Sequence, residues 1–206
     1  MHHVYPSIIR LIKSKGKIMT FEELLKRRRS VRNFKDVPVS IEVIKEMIKE
    51  STLAPNAGND QPWKFIIVNN KQMMKRISDE SKKNILSCVN ANTNEYAKKY
   101  KALLEKESFN VFYNAPNLVL ILGVSTVKDL YLDCSLAAGY FMFAAASRNI
   151  DTCWVNLGAE IYDQQMRNEL GIPDDCKIVA PIILGYAEKV PPIPKRKEPE
   201  ILKIIT

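Results

Sequence analysis

A short basic segment contains the residues with the clearest capacity for chemistry. Arg28, Arg29, Ser30 and Arg32 lie close together near the predicted end of a helix. A guanidinium group can donate two parallel hydrogen bonds to a phosphate, and a serine hydroxyl can add another. A solvated basic turn is nevertheless the commoner explanation of such a cluster taken alone. The segment therefore predicts a phosphate site only if a second signal supports it.

A second basic cluster lies near the other end of the chain, at Lys195, Arg196 and Lys197. It belongs to a proline-rich stretch that cannot form a regular helix and favours an extended arm over about 188–206. The net charge of +8 is compatible with phosphate ligands, nucleic acid or a membrane surface. Charge alone does not choose among these partners.

An unusually polar joint connects two apolar segments, with the sequence LAPNAGNDQPWKF over residues 53–65. Gly58 permits a positive φ, which allows a tight change of chain direction. The amides of Asn56, Asn59 and Gln61 can both donate and accept hydrogen bonds. Such a loop can satisfy a polyhydroxyl chain or the edge of a polar heterocycle.

The types of residue that are missing also restrict the chemistry. The only histidines are His2 and His3, so the body of the domain contains none. Catalytic Ser-His-Asp or Cys-His sets and histidine-ligated metals are therefore not expected. The four cysteines are scattered without a C-x-x-C pair, which argues against a zinc site or a redox dithiol and favours a reducing cytoplasm. An enzyme with this sequence would rely on a cofactor.

The helices and strands that must position these residues follow from the hydrophobic pattern. Thr20 and Glu23 form a capping box that predicts a helix from about Phe21 into the basic segment. Further helices are expected from Ile41 to the polar joint, within 71–109, over 132–146 and over 162–170. Strands are expected over 65–68, 118–122, 152–155 and 178–184. These elements imply an α+β or α/β domain around one sheet.

The same pattern predicts where each element is buried. The strands over 65–68 and 118–122 are expected to be buried on both faces, and Trp63 is expected in the core. The apolar helix over 132–146 belongs at the centre of the fold, since it is shorter than the roughly 20 residues of a membrane span. The polar helices within 71–109 should be more exposed and more mobile. We predict a loose extension over 1–19 and one domain over 20–206.

Taken together, these segments resemble the nitroreductase family of flavin mononucleotide (FMN) oxidoreductases. Family members carry R-R-S-x-R-x-F near the N-terminus, which residues 28–34 match. They follow it with A-P-S-x-x-N-x-Q-P-W, which residues 54–63 match with Asn56 in place of the serine. Further matches in family order are Tyr113-Asn114-Ala115-Pro116, Asp133-Cys134, Thr152-Cys153-Trp154 and Leu184-Gly185-Tyr186. The resemblance spans about residues 20–202.

The resemblance implies an α+β fold in which helices flank a mostly antiparallel central sheet. It also implies an intertwined homodimer with two FMN sites at the interface. Arg28, Ser30 and Arg32 would bind the phosphate and ribityl region, with Arg29 in the same motif. Lys195 and Arg196 would reach the phosphate again.

The resemblance assigns the polar joint to the same cofactor. Asn59 would bind the ribityl or pyrimidine edge, and Gln61 belongs to the same motif. The segment Pro55, Asn56 and Ala57 would come from the partner subunit. Leu157 and Gly158 match the place where a backbone N–H approaches flavin N5.

The activity implied by the resemblance needs no catalytic side chain. NADH or NADPH would donate hydride to flavin N5, leave, and be replaced by a nitroaromatic, quinone or similar small-molecule acceptor in a ping-pong cycle. A specialised flavin enzyme that removes halide, fragments flavin or dehydrogenates a metabolite is the alternative within the family. A basic nucleic-acid-binding module is an alternative from another class, although no standard nucleic-acid motif is found. We expect neither a nucleic-acid nor a membrane partner.

Overall fold

The computed structural model of this chain describes residues 19–91 and 95–206. The extension predicted over 1–19 lies outside the described residues except for Met19. The described chain contains one antiparallel sheet with helices packed on both of its faces. The predicted α+β fold class is therefore confirmed.

Four strands form the sheet in the order β1, β2, β4, β3, and every neighbouring pair is antiparallel. The strands are β1 Lys64–Val68, β2 Asn117–Val124, β3 Asp151–Trp154 and β4 Cys176–Gly185. Strand β2 is central, and its alternating side chains face two cores. Leu118 and Leu120 enter one core, whereas Val119 and Ile121 enter the other. Burial on both faces is thus confirmed for β2.

The prediction of burial on both faces is wrong for β1. In this strand only Val68 is buried, Lys64 is exposed, and the three residues between them are half-buried. Strand β1 lies at the edge of the sheet and is hydrogen-bonded to β2 alone. Side chains beside a free edge lack one row of neighbours, so they keep part of their surface in water. A short apolar run does not distinguish an edge strand from a central one.

Local signals explain where most helices begin and end. Thr20 Oγ1 accepts from the Glu23 amide while the Glu23 carboxylate accepts from the Thr20 amide, so the predicted capping box is confirmed. The last helix ends at Gly171, whose φ of 70° is the left-handed conformation of a C-terminal cap. The helices are α1 Phe21–Arg27, α2 Ile41–Ser51, α3 Lys71–Asn90, α4 Glu95–Lys98, α5 Lys101–Leu104, α6 Leu130–Ser147 and α7 Gln164–Leu170.

Helix α3 is more buried than its polar composition predicts. One of its faces places Met74, Ile77, Ile85 and Val89 in the core that also contains Leu118 and Leu120 of β2. The apolar positions are only a minority of the helix, but they recur on one side of it. The expectation of a more exposed region is therefore wrong for this face of α3.

Helix α6 is only partly enclosed, although the sequence predicts it at the centre of the fold. Ala137 and Phe141 are fully buried against the sheet, but Leu132, Leu136 and Tyr140 are exposed along another face. We call these three the α6 stripe, since their spacing of four residues puts them on one side of the helix. By length and composition alone this helix could also span a membrane, and a core helix meets the same criterion.

The four cysteines are free thiols, and three of them are buried. Burial raises the pKa of Cys134 to about 12, and the nearby Asp133 adds to the shift. Burial likewise raises the pKa of Cys176. Both therefore remain neutral thiols near pH 7.

An ion pair attaches α1 to the sheet. The Arg27 guanidinium donates to both carboxylate oxygens of Asp151, at 2.5 and 3.1 Å, and the Asp151 side chain is only 4% exposed. The Ala187 amide also donates to this carboxylate, at 3.3 Å. Asp151 therefore joins α1, β3 and the start of the C-terminal arm.

Removing the Asp151 charge should destabilise the fold, because the Arg27 guanidinium would lose its partner while still partly buried. We expect Asp151→Asn to lower the free energy of unfolding by about 3 kcal/mol, measured from the midpoint of urea unfolding. Adding Arg27→Met should restore part of the loss, since the unpaired charge is then gone. The exposed pair of Lys26 and Glu22 is the control, and Glu22→Gln should leave the midpoint unchanged. Equal losses in both variants would contradict a special role for Asp151.

Candidate functional site

The basic segment is held against strand β3 by main-chain contacts. Ser30 forms a parallel bridge with Thr152, and the Val31 amide donates to the Thr152 carbonyl at 3.0 Å. With the Arg27 ion pair on one side, these contacts fix residues 27–31 along the end of the sheet. The segment is a built part of the fold, so its side chains project from a defined backbone.

Arg29 does not face the same way as its neighbours. Its side chain is only 6% exposed, and its guanidinium donates to the Lys26 and Leu25 carbonyls at the end of α1. These carbonyls have no partner within the helix, so Arg29 caps it. The geometry gives Arg29 a structural role, and the prediction that it binds cofactor gains no support from it.

Positive charge from the C-terminal arm reaches this segment. Burial lowers the pKa of Arg29, and the charges of Arg28, Arg196 and Arg27 lower it further. The arm is guided there by main-chain bonds from the Lys35 amide to the Tyr186 carbonyl and from the Glu188 amide to the Asn33 carbonyl. The charge of Arg196 on the arm thus acts on the basic segment, although the two lie far apart in the sequence.

The arm itself forms neither helix nor strand over 188–206, as its prolines predict. Lys195 is exposed on it, and no ion pair of Lys195 is found within the described residues. Whether Lys195 contacts a cofactor therefore stays a prediction.

Arg28, Ser30 and Arg32 all influence one buried thiol of β3, that of Cys153. Burial raises the pKa of the Cys153 thiol, but the charge of Arg32, a hydrogen bond from Ser30 and the charge of Arg28 act in the opposite direction. All three side chains therefore act on the same buried thiol. The three residues to which the resemblance assigns the phosphate and ribityl region thus share an influence on Cys153.

Most of this charge is uncompensated. In residues 19–91 and 95–206, no carboxylate lies within ion-pair distance of Arg28, Arg32 or Arg196, whereas Arg27 has Asp151. We call Arg28, Ser30, Arg32 and Arg196 the basic cluster. Guanidinium groups held together without carboxylates favour a bound anion, and this donor set fits a phosphate ester such as that of FMN.

The polar joint forms a tight loop with several strained residues. Gly58, Asn59 and Gln61 have φ values of 58°, 59° and 48°, so two residues other than glycine adopt the left-handed conformation. The Asn56 Oδ1 accepts from the Gln61 amide at 2.9 Å and closes the loop. Asparagine at the position of the family serine thus serves the loop itself. Such strain persists only where surrounding contacts hold it, and it is common at binding sites.

Asp133 anchors this loop to the first turn of α6. Its Oδ1 accepts from the Ala57 amide at 3.0 Å, and the residue is only 3% exposed. Its Oδ2 is buried with no hydrogen-bond partner in the described chain. The sequence offered a signal for this role, a single carboxylate inside the most apolar run, but we did not predict it.

The loop and the basic cluster are attached to different parts of the chain. Asp133 on α6 holds the loop, whereas Thr152 on β3 holds the basic cluster. Across the described ranges no hydrogen bond or ion pair joins the two groups. Pro55 and Asn59 are exposed on the loop, and Trp63 after it is buried as predicted.

The third predicted segment is a short turn after β3. The turn Asn156–Gly158 is a 3₁₀ helix in which the Gly158 amide already donates to the Val155 carbonyl at 2.9 Å. No acceptor for the Leu157 amide is found in residues 19–91 and 95–206, so this donor is not used within the turn. A Cβ on Gly158 would lie 2.3 Å from the ring of Phe112, which makes glycine necessary here.

Comparisons with known proteins agree with the predicted family. A model of the nitroreductase family matches residues 25–186. A protein from Archaeoglobus fulgidus, whose name combines NADH dehydrogenase and NAD(P)H nitroreductase, is 30% identical over 80% of this chain and 86% of its own length. Iodotyrosine deiodinase 1 from Rattus norvegicus is 27% identical over 90% of this chain and 68% of its own length.

A solved structure with the same fold is an FMN-bound nitroreductase from Bacteroides fragilis. The two align with a TM-score of 0.76 and 22% identity, over 89% of this chain and 98% of the other. The family model covers most of the chain, and the sheet order, the basic cluster and the polar loop described above lie within or beside the matched region. The chain therefore belongs to the nitroreductase family.

Proposed function

We propose that this protein is an FMN-dependent oxidoreductase that uses NADH or NADPH. The observation that carries the proposal is the basic cluster, in which the charges of Arg28, Arg32 and Arg196 act on the same segment and none has a carboxylate partner in the described chain. A phosphate ester is the ligand that best matches this donor set. FMN supplies such a phosphate, and family membership makes it the first candidate.

The side chains would bind and orient the cofactor and would not take part in proton transfer. Arg28, Ser30 and Arg196, with Lys195 beside it, would hold the phosphate, and Arg32 would reach the ribityl region. The Leu157 amide would donate to flavin N5. Bound FMN supplies the redox chemistry, accepting hydride from the nicotinamide and passing it to an acceptor.

We propose a nitroaromatic, a quinone or a similar small molecule as the acceptor. Residues 4–206 contain no histidine, so this part of the chain offers no imidazole for acid–base work. An acceptor that needs only hydride and a proton from solvent suits such a site. Donor and acceptor would use the same face of the flavin in turn, which gives ping-pong kinetics.

A dehalogenase is the second candidate, favoured by the similarity to iodotyrosine deiodinase 1 over 90% of this chain. The residues proposed for FMN would be the same in both enzymes. The two functions differ in the acceptor, a halogenated phenol in place of a nitro compound or quinone. Halide release measured with reduced protein and a halotyrosine would distinguish them.

We propose that the protein is a homodimer in which each subunit contributes its polar loop to the other's site. The α6 stripe exposes Leu132, Leu136 and Tyr140, and the end of the arm exposes Ile201 and Leu202. Exposed apolar residues that lie along one face of a helix, as in the α6 stripe, favour contact with another protein. The absence of any bond between the loop and the basic cluster in the described chain supports the exchange of loops.

The dimer should be visible by sedimentation velocity of the FMN-bound protein. We expect a single species of twice the chain mass, and Leu136→Glu should convert it to a monomer because a charge would be buried in the apolar contact. Lys45→Glu on the exposed side of α2 is the control and should leave the mass unchanged. A monomeric FMN-bound protein would refute the dimer.

Removing one guanidinium from the basic cluster should weaken FMN binding without unfolding the protein. Arg28 has no carboxylate partner in the described chain, so Arg28→Ala removes a ligand contact and leaves the core intact. We expect the FMN dissociation constant to rise about 10- to 100-fold, measured by flavin fluorescence quenching. Arg76→Ala is the matched control, because Arg76 is bound by Glu169 at 2.7 and 2.8 Å outside the cluster. Unchanged occupancy in Arg28→Ala would refute the assignment.

The visible spectrum of the purified protein tests the proposed activity directly. We expect flavin absorption that bleaches under anaerobic conditions when NADH or NADPH is added. Flavin absorption that resists both donors would reject the NAD(P)H oxidoreductase and leave the specialised enzymes. A colourless protein that fails to take up FMN, yet binds nucleic acid with strong salt dependence, would support the basic module instead.

A further inference from the structure

Arg32 is held by an aromatic ring. Its guanidinium carbon lies 5.7 Å from the centre of the Tyr113 ring, within the range of a cation–π contact. The residue is exposed and has no carboxylate partner in the described chain. The Tyr113 ring is therefore the contact that restricts a long and otherwise free side chain.

The backbone at Tyr113 is strained. Tyr113 and Asn114 both have a φ of 53°, a left-handed conformation that residues other than glycine and asparagine seldom adopt. The Tyr113 amide donates to the Asn110 carbonyl at 2.9 Å, and the Asn110 side chain donates to Asn114 Oδ1 at 3.1 Å. These hydrogen bonds offset the conformational free energy of the left-handed backbone, and they fix the position of the Tyr113 ring.

Helix α3 supplies the support beneath this turn. The buried Lys82 ammonium donates to the Lys106 carbonyl at 2.7 Å and to the Phe109 carbonyl at 2.9 Å. Ser78 Oγ accepts from the Val111 amide at 3.0 Å. These bonds attach the segment before Tyr113 to the core, so the turn is not a free surface loop.

A second ring fixes the orientation of Tyr113. Phe109 and Tyr113 meet edge to face, with ring centres 5.7 Å apart and planes at 80°. The edge contact leaves a face of Tyr113 available to the Arg32 guanidinium. The arrangement thus runs from the buried Lys82 through Phe109 and Tyr113 to Arg32.

We propose that Tyr113 is a positioning residue for the flavin site, whose ring holds the Arg32 guanidinium in the orientation that binds the cofactor. This inference rests on the proposed function, because it assumes that Arg32 contacts FMN. An arginine side chain loses much rotamer freedom when it binds, and a ring that restricts it beforehand lowers that loss. Tyr113 itself would touch no atom of the flavin.

A double-mutant cycle on FMN affinity tests this role. Tyr113→Asn removes the ring, and asparagine tolerates the left-handed backbone, so the turn should persist. We expect FMN to bind about 5- to 10-fold more weakly in Tyr113→Asn, but less than about 2-fold more weakly when the change is made in an Arg32→Met background. A purely structural role would weaken binding equally in both backgrounds, and that additivity would overturn the proposal.

Two controls separate the ring from other effects. Tyr113→Phe keeps the ring, so its FMN affinity should equal that of the unmodified protein, and a loss there would also overturn the proposal. Lys99 lies over the Tyr100 ring at 5.0 Å, and Tyr100→Leu should show no coupling to Arg32→Met. Urea midpoints of all variants report folding, and if Tyr113→Asn unfolds, Tyr113→Gly, which also lacks a ring and accepts a positive φ, replaces it in the cycle.

The failure of this inference can be told apart from the failure of the proposed function. A protein that binds FMN and is bleached by NADH or NADPH, but shows an additive cycle, retains its function and loses the role of Tyr113. An unmodified protein that binds no FMN overturns both. Coupling in a protein that no nicotinamide reduces would keep Tyr113 and reject the donor.

Discussion

The carboxylate of Asp151 is the contact on which the basic cluster depends. It binds the Arg27 guanidinium and the Ala187 amide, so one buried group joins the first helix, the third strand and the start of the arm. Arg28 to Arg32 follow directly after Arg27, and Arg196 lies on the arm. Asp151 therefore contacts both chain segments that carry this positive charge, at Arg27 and at Ala187. Because that anion is buried, its loss would expose the cluster to rearrangement as well as cost stability.

The positive charges of the basic cluster have no carboxylate partners in the described chain. The neighbouring charges of Arg28 and Arg196 help to lower the pKa of Arg29, which reflects their mutual repulsion. An anion bound among them would relieve this repulsion, so ligand binding and folding stability should be linked. The polar loop likewise contains unfavourable local structure, since Asn59 and Gln61 adopt left-handed backbone conformations.

The sequence predicts local structure well where the signal is local. The capping box at Thr20, the glycine end at Gly171 and the core position of Trp63 all follow from neighbouring residues. The grouping of Arg28, Ser30 and Arg32 in one site follows from the family motif and stays a prediction. The edge position of β1 and the burial of α3 were not predictable in this way, because they depend on which elements pack together. The inward turn of Arg29 and the anchoring of Ala57 by Asp133 are likewise tertiary contacts between segments distant in sequence.

The buried thiols have a consequence for chemical labelling. Cys134 lies on α6, Cys153 beneath the basic cluster and Cys176 at the start of β4, and burial raises the pKa of each. Alkylating reagents react with a thiolate that is accessible to solvent. In the folded chain these three sulfurs are buried and protonated, so they should react slowly. Alkylation at each sulfur therefore reports the opening of its own region. The chain thus carries three native probes of local unfolding, one of them under the proposed cofactor phosphate.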